Sequence, residues 1–286
     1  MFFIVGSIIV IVCVLGGYAA MGGKLAVLNQ PFEVVIICGA ALGAFIIANP
    51  KDLIVKVIAG FGDILKGRSY NKAVYLELLT LLFATFKMAR TKGVLALEAH
   101  VEDPENSSFF KKFPHFHKNH HAVTFFCDYL RLITMGTNSP HQLEELMDQE
   151  LESHHMESHQ VSGAVTTVAD GLPALGIVAA VLGVIKTMGS INEPPEILGK
   201  LIGGALVGTF LGVWLSYGFV GPMGSSLANN YDHDTRYLRT IKSGLLAFMH
   251  GHAPQVAIEF ARKGIFEDMR PDFYEVEKAI ADIPAE

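Results

Sequence analysis

The sequence of 286 residues has little charge for its length and few cysteines. Charged residues make up 17% of it, against about 25% in a typical soluble domain, whereas 51% of its residues are hydrophobic. This composition argues against a soluble protein and favours one that resides in a membrane. The net charge of −6 offers no basic surface for nucleic acid, so we expect no such partner. The three cysteines show no CxxC or Cys–His pattern, which offers no disulfide framework and fits a reducing cytoplasm.

Charge is concentrated in two polar segments, residues 50–171 and 223–286, which together hold 19 of the 22 Lys and Arg and 25 of the 28 acids. Each of the four apolar runs outside them comes close to the roughly 20 residues that a helix needs to cross a membrane. The runs cover residues 2–21, 32–49, 172–190 and 201–222. The sequence therefore predicts an all-α membrane protein with four transmembrane helices. Transmembrane helices 1 and 2 fill residues 1–49 and helices 3 and 4 fill 172–222, with a large helical domain between the two pairs and a helical C-terminal tail.

Lysine and arginine set the predicted orientation. The short loops 22–31 and 191–200 carry only Lys24 and Lys200, while both polar segments are rich in basic residues. Because positively charged loops stay in the cytoplasm, we expect a multi-pass protein of the cytoplasmic membrane with both termini and the middle domain cytoplasmic.

Small residues recur at helical spacing on the third and fourth runs, at Gly176, Gly183, Gly204, Gly208 and Gly212. We call these five residues the glycine ladder. Such spacing lets helix backbones approach closely in lipid, so the pattern predicts helix packing. Two partners remain open: a second protein chain, or the chain's own helices.

The middle segment is predicted to be helical. Asn49-Pro50 would cap and open a helix to Lys66, and a longer helix would run from Asn71 to about Val101. On that helix, Arg90 and Glu98 would lie about 12 Å apart along the axis and roughly 80° apart around it. Taken alone, these two charges fit an ordinary solvated face. Further helices are predicted at residues 121–135, 139–160, 254–264 and 271–280.

The sequence lacks a phosphate-binding loop, a nucleophile elbow and an HExxH motif, so we expect no enzyme activity. The histidine clusters, residues 115–121 and 154–159, are interpreted as surface residues rather than as a metal site, which needs three or four converging ligands.

The deep parts of the four runs hold no ionisable residue, since Glu33, Asp170 and Lys186 lie near run ends. Transporters mark their pathway with such residues. If the chain conducts protons, another chain must therefore supply the group that binds them.

The whole chain resembles the flagellar motor stator A subunit family (MotA), part of the wider MotA/TolQ/ExbB proton-channel family. The four runs, Arg90, Glu98 and the prolines at the ends of the third and fourth runs all contribute to the resemblance. Its most specific segments are AVTTVADGLPALGIVAA at 164–180, GGALVGTFLG at 203–212 and YGFVGP at 217–222.

The resemblance implies a stator subunit of the bacterial flagellar motor, located in the inner membrane. With a single-span, MotB-like B subunit it would form a proton channel that converts ion flow into torque. Arg90 and Glu98 match positions that engage the rotor's switch-complex protein, and Pro173 and Pro222 match prolines that couple ion flow to movement. The third and fourth spans, with Asp170, would line the ion path beside an aspartate of the B subunit. Family stators contain five A subunits and two B subunits.

The resemblance also implies the coupling ion. Sodium-driven relatives carry a hydroxyl residue on the third span and a threonine on the fourth, and this chain keeps Thr209 but has Ala180 at the third-span position. We therefore expect protons as the coupling ion and no cofactor. The alternative function is a TolQ/ExbB-like proton-channel subunit that energises another envelope process. A self-contained secondary transporter is disfavoured because the sequence shows no inverted repeat.

Overall fold

The computed structural model describes residues 2–66, 70–137, 139–281 and 283, and every regular element in these residues is helical. The α-helices are α1 (Phe2–Ile11), α2 (Gly17–Ala20), α3 (Pro31–Ala48), α4 (Lys51–Lys66), α5 (Lys72–Lys92), α6 (Glu98–Glu102), α7 (Pro114–Lys118), α8 (His120–Thr134), α9 (Pro140–Met188), α10 (Pro195–Leu215), α11 (Gly221–Met249), α12 (Pro254–Lys263) and α13 (Phe273–Ala281). The all-α prediction is confirmed. The predicted segments also include residues 1, 67–69, 138, 282 and 284–286, which lie outside the described residues.

Four stretches of helix are long and apolar enough to cross a membrane, as predicted: Phe2–Ala20, Leu25–Ala48, Pro140–Met188 and Pro195–Met249. The first contains a π-helical turn at Val12–Gly16, and the second opens with a 3-10 turn at Leu25–Leu28. The third and fourth continue directly into the polar segments. The loop predicted at 191–200 is shorter in the structure, because Pro195 opens α10 at its first position, where a proline is well suited.

The chain forms two compact units. The membrane unit comprises residues 1–67 and 157–230, and its core is built by apolar residues of α3, α9 and α10: Ile37, Ala41, Leu172, Ala179, Val207 and Leu211. Large apolar side chains on the outside of these helices are exposed, such as Phe32 at 80% and Ile47 at 89%. Such surfaces suit the hydrocarbon core of a membrane.

The polar unit comprises residues 68–156 and 231–286 and has a larger core, to which α5, α8, α11 and α12 all contribute. Its central helix α5 is capped by Asn71, whose Oδ1 accepts hydrogen bonds from the backbone N–H groups of Ala73 (2.9 Å) and Val74 (3.1 Å). This side-chain cap satisfies two of the donors that a helix start leaves free.

The predicted helix from Asn71 to Val101 is wrong beyond Lys92. Gly93 has a φ of +88°, a left-handed conformation that ends α5, and it is followed by a 3-10 turn at Val94–Leu97 and by α6. The axial distance and the angle predicted for Arg90 and Glu98 on one helix therefore do not apply.

The remaining helix predictions agree with α4, α8, α12 and α13 to within a few residues at each end. The helix predicted at 139–160 begins as expected but continues as α9 to Met188, so it is one helix with the third span. One capping prediction differs. Asn49 was expected to cap α4, but its side-chain Nδ2 donates 2.7 Å to the carbonyl of Phe45, near the end of α3. Residues 102–114, which no predicted helix covers, include a 3-10 turn at Phe110–Lys112.

Candidate ion path and coupling site

The third and fourth spans touch backbone to backbone at the glycine ladder. A methyl group on Gly212 would lie 2.6 Å from the Leu172 carbonyl oxygen and 2.8 Å from Gly176 Cα. A methyl group on Gly176 would lie 2.8 Å from the carbonyl oxygen of Gly208. These distances are shorter than van der Waals contact, so α9 and α10 pack this closely only because both helices carry glycine here.

The ladder continues towards the other end of the hairpin. Gly183 faces Ala205, whose Cβ would be 2.6 Å from an added methyl group, and Gly208 faces Ala179 at 3.0 Å. Of the two packing partners left open by the sequence, the structure shows the chain's own helices. The glycine ladder is therefore not a free surface for a second chain.

Glu33 is a residue of this site that the sequence reasoning missed. It lies in the first turn of α3, yet its carboxylate reaches between the third and fourth spans. A methyl group on Gly208 would lie 2.5 Å from Glu33 Oε2, and one on Gly183 would lie 3.7 Å from Oε1. Oε2 is buried and has no hydrogen-bond partner among the described residues.

A signal for Glu33 was available in the sequence, because it is the one acid among the first 51 residues. The side chain of the neighbouring Gln30 also lies against a glycine of the ladder. Its Nε2 is 3.0 Å from the position that a methyl group on Gly204 would take. Gly204 and Gly208 thus make room for polar side chains at the start of α3, from Gln30 just before the helix and from Glu33 in its first turn.

The residues implied in ion flow and coupling lie along α9, α10 and α11. Ala180 and Thr209 are half-buried, as is Pro173, while Asp170 and Pro222 are exposed. The backbone nitrogen of Ala180 lies 3.0 Å from where a methyl group on Gly208 would be, so Ala180 lies at the contact between the two spans. These positions share one hairpin, and the roles implied for them stay predictions.

Helix α9 continues through Pro173 without interruption. Proline has no N–H, so the carbonyl of Ala169, four residues earlier, lacks its usual helical donor. The hydroxyl of Ser216 on the fourth span donates to this carbonyl at 2.6 Å. Ser216 is also the first residue of a π-helical turn, Ser216–Val220, which ends just before Gly221 and Pro222.

Arg90 and Glu98 are both exposed on the polar unit, on either side of Gly93. Arg90 belongs to the last turn of α5, and Glu98 opens α6. Arg131 on α8 ties α6 in place, donating to Glu102 Oε1 at 2.8 Å and to the Val101 carbonyl at 3.2 Å. The hydrogen bond to Glu102 raises the pKa of Arg131 above its ordinary value. Arg131 thus contacts the C-terminal end of α6, the short helix that Glu98 opens.

One of the clustered histidines has a clear local partner. Glu77 of α5 accepts hydrogen bonds from the backbone N–H groups of His115 (2.7 Å) and Phe116 (3.0 Å), and His115 Nδ1 lies 2.6 Å from the same carboxylate. This contact anchors α7 to α5. The interpretation of the histidine clusters as surface residues without a metal stays a prediction.

The thiol of Cys127 is enclosed in the core of the polar unit, and burial raises its pKa to about 12. The thiolate is the reactive form of cysteine. Cys127 is therefore a packing residue at neutral pH.

Comparison with known proteins gives matches along almost the whole chain. Residues 4–93 match the family described as Motility protein A N-terminal, and residues 117–240 match the MotA/TolQ/ExbB proton channel family. The chain is 38% identical to Motility protein A of Escherichia coli over 280 residues, which cover 98% of this chain and 95% of that protein. It is 36% identical to Chemotaxis protein LafT of Vibrio parahaemolyticus over 277 residues, which cover 97% of each.

Two solved structures share the fold. The structure of C. jejuni MotAB aligns with a TM-score of 0.78 at 19% identity, covering 93% of this chain and 96% of that one. The flagellar MotAB stator complex from Bacillus subtilis aligns with a TM-score of 0.70 at 26% identity, covering 90% and 92%. Through its similarity to these proteins over nearly its full length, the chain belongs to the motility protein A family of flagellar stator subunits.

Proposed function

We propose that this chain is the A subunit of a flagellar stator, which forms a proton channel with a B subunit and converts ion flow into torque on the rotor. The observation that carries the proposal is the match of residues 4–93 to the motility protein A N-terminal family. The other matched family, over residues 117–240, also contains TolQ and ExbB proteins and does not separate the two candidate functions. A TolQ/ExbB-like role in another envelope process therefore has less support.

The partner follows from the chemistry of the spans. Glu33 reaches between α9 and α10 from the end of α3 that faces the outer loop. The deep parts of the four runs hold no ionisable residue, so a second chain supplies the proton-binding group, and the resemblance to the stator family assigns that group to an aspartate of a single-span B subunit. Five A subunits around two B subunits, in the bacterial inner membrane with both termini cytoplasmic, complete the proposal.

The coupling ion in this proposal is the proton. Ala180 provides no side-chain oxygen at the contact between α9 and α10, whereas a sodium ion that has lost most of its waters needs oxygen ligands. A proton needs only the partner's carboxylate and a wetted path. One charge that crosses about 150 mV supplies roughly 3.5 kcal/mol, which biases a two-state arrangement by more than about a hundredfold.

The proposal is tested by deleting the gene and examining the cells by light and electron microscopy. We expect deletion cells to carry filaments that do not turn. Re-expression of the gene should restore swimming, both in medium with sodium and in medium without it. Cells that lose their filaments, or that still swim although no second stator is encoded, would contradict the stator function. If the complemented cells swim in medium with sodium but stop when sodium is withdrawn, the proton is not the coupling ion.

Reversing the charge of Arg90 should weaken contact with the rotor. Arg90 is exposed at the end of α5, so Arg90→Glu leaves the core intact and changes only the surface charge. We expect roughly tenfold weaker engagement, which corresponds to about 1.4 kcal/mol, and a loss of torque measured on tethered cells.

Lys92→Glu is the matched control for Arg90→Glu, since Lys92 is an exposed base in the same last turn. A compensating reversal on the rotor protein should restore part of the torque of Arg90→Glu. Equal torque from both variants would show that Arg90 has no specific role at the rotor.

A further inference from the structure

The carbonyl that Pro173 deprives of its donor lies in a closed environment. Ala169 is 2% exposed and Ser216 is 1% exposed, so water does not take the place of the missing N–H. Buried carbonyl groups are nearly always hydrogen-bonded, because an unpaired one loses its hydration without compensation. The hydroxyl of Ser216, at 2.6 Å, is the substitute donor, and it comes from the other helix of the hairpin.

Ser216 also takes part in the backbone irregularity of its own helix. The N–H of Gly221 donates to the carbonyl of Ser216, five residues earlier, which closes the π-helical turn. Pro222 follows immediately and removes another backbone donor. A methyl group on Gly221 would lie 3.9 Å from Ala169 Cβ, at ordinary van der Waals distance, so the start of α11 lies beside Ala169 of α9.

We infer that Ser216 is a positioning residue that links the missing backbone hydrogen bond at Pro173 to the π-helical turn before Pro222. Its hydroxyl donates to the Ala169 carbonyl of α9, and its own carbonyl accepts from the N–H of Gly221 at the start of α11. A bend at Pro173 that moves the Ala169 carbonyl therefore also moves the π-helical turn, and the two spans bend together. The functional part of this inference, that the linkage transmits movement during ion flow, rests on the proposed function.

Thr187, another residue of the membrane unit with a buried hydroxyl, makes a hydrogen bond only within its own helix. Thr187 is 4% exposed and donates to the Gly183 carbonyl of its own helix at 2.9 Å. That carbonyl already receives the N–H of residue 187 in the helical pattern. Removing this hydroxyl leaves no carbonyl without a donor, so Thr187→Val is a matched control.

The test is a double-mutant cycle on the complete A–B complex, read by hydrogen–deuterium exchange. Ser216→Ala should raise amide exchange about tenfold in two segments, 170–178 and 217–225, because it leaves the Ala169 carbonyl unpaired. Thr187→Val should leave both segments unchanged. In the Pro173→Ala background the Ala169 carbonyl regains a backbone donor, so adding Ser216→Ala should have no further effect on exchange.

The outcomes of the double-mutant cycle distinguish a hydrogen-bond linkage through Ser216 from a role of Ser216 in packing alone. An equal effect of Ser216→Ala in both backgrounds, or an effect confined to one segment, would overturn the inference, since a serine that only fills space does not depend on residue 173. If Ser216→Ala alone fails to assemble, assembly of the double variant supports the linkage and failure of both overturns it.

Swimming speed then tests the functional part separately. Ser216→Ala should lower the speed of cells whose stator number is unchanged, whereas Thr187→Val should not. Normal speed together with raised exchange would overturn the transmission of movement while leaving the hydrogen-bond linkage intact. Failure of the stator function itself would be seen independently, in the filaments and swimming of the deletion strain.

Discussion

Replacing Gly212 with alanine should prevent the third and fourth spans from packing and abolish swimming. The new methyl group would lie 2.6 Å from the Leu172 carbonyl oxygen and 2.8 Å from Gly176 Cα. Both are backbone atoms, so no change of side-chain rotamer relieves the overlap and the helices must move apart. Overpacking costs about 1–3 kcal/mol where side chains can adjust, and we expect a cost at or above the upper end of that range.

Gly203→Ala provides a control on the same helix. An added methyl group on Gly203 meets no atom within 4 Å, and alanine is the better helix former by about 1 kcal/mol. We therefore expect Gly203→Ala to be neutral or slightly stabilising. Thermal unfolding of the detergent-solubilised complex, followed by size-exclusion chromatography, compares the two variants directly. Equal stability of the two would show that the close contact at Gly212 is not needed for packing.

The same glycines show how far the sequence could predict the site. Their spacing predicts one packing face on each of α9 and α10, because periodicity determines which residues share a face of a helix. Periodicity does not identify the partner, because the same spacing of glycines would suit packing against a second chain or against the chain's own helices. Glu33 was missed for a related reason: hydropathy places it near the end of a span, but only the packed structure shows that its carboxylate reaches Gly208.

The long polar segment shows a second limit of the sequence. Gly93 is followed by Val94 and Leu95, whose apolar side chains continue the helical pattern, so the sequence predicted one helix to Val101. A glycine inside a helical pattern either stays helical or ends the helix, and the local sequence does not decide between them. In the structure Leu97 packs into the core from a 3-10 turn that follows Gly93, and the positive φ of Gly93 ends α5.

Hydropathy is least informative about a charged residue inside a core. Arg262 is 7% exposed, although it lies among the apolar residues of α12. Its Nε and Nη2 each donate to a different carboxylate oxygen of Glu259 at 2.8 Å, and its Nη1 donates to the Pro271 carbonyl at 3.1 Å. The hydrogen bonds to Glu259 raise the pKa of Arg262. Arg262 thus joins α12 to the segment that leads into α13.

Arg262→Ala should destabilise the polar unit by about 3 kcal/mol. The substitution leaves the Glu259 carboxylate and the buried Pro271 carbonyl without their donors, and breaking a buried pair from one side costs about 3–5 kcal/mol. The lower end applies because the Glu259 side chain is 26% exposed, so water compensates part of the loss. Hydrogen–deuterium exchange of the full-length protein should show α12 and α13 opening roughly 100-fold more often.

Lys263→Ala separates this effect from a general loss of positive charge on α12. Lys263 is the next residue of the helix and is exposed, so its removal should change stability by no more than about 0.5 kcal/mol. Arg262→Lys adds a second comparison, because lysine keeps the charge but does not reproduce the paired hydrogen bonds to one carboxylate. If the bond geometry rather than the charge holds α12 to the Pro271 segment, Arg262→Lys will behave like Arg262→Ala. Stability close to that of the wild type in Arg262→Lys would instead mean that a buried positive charge beside Glu259 is sufficient.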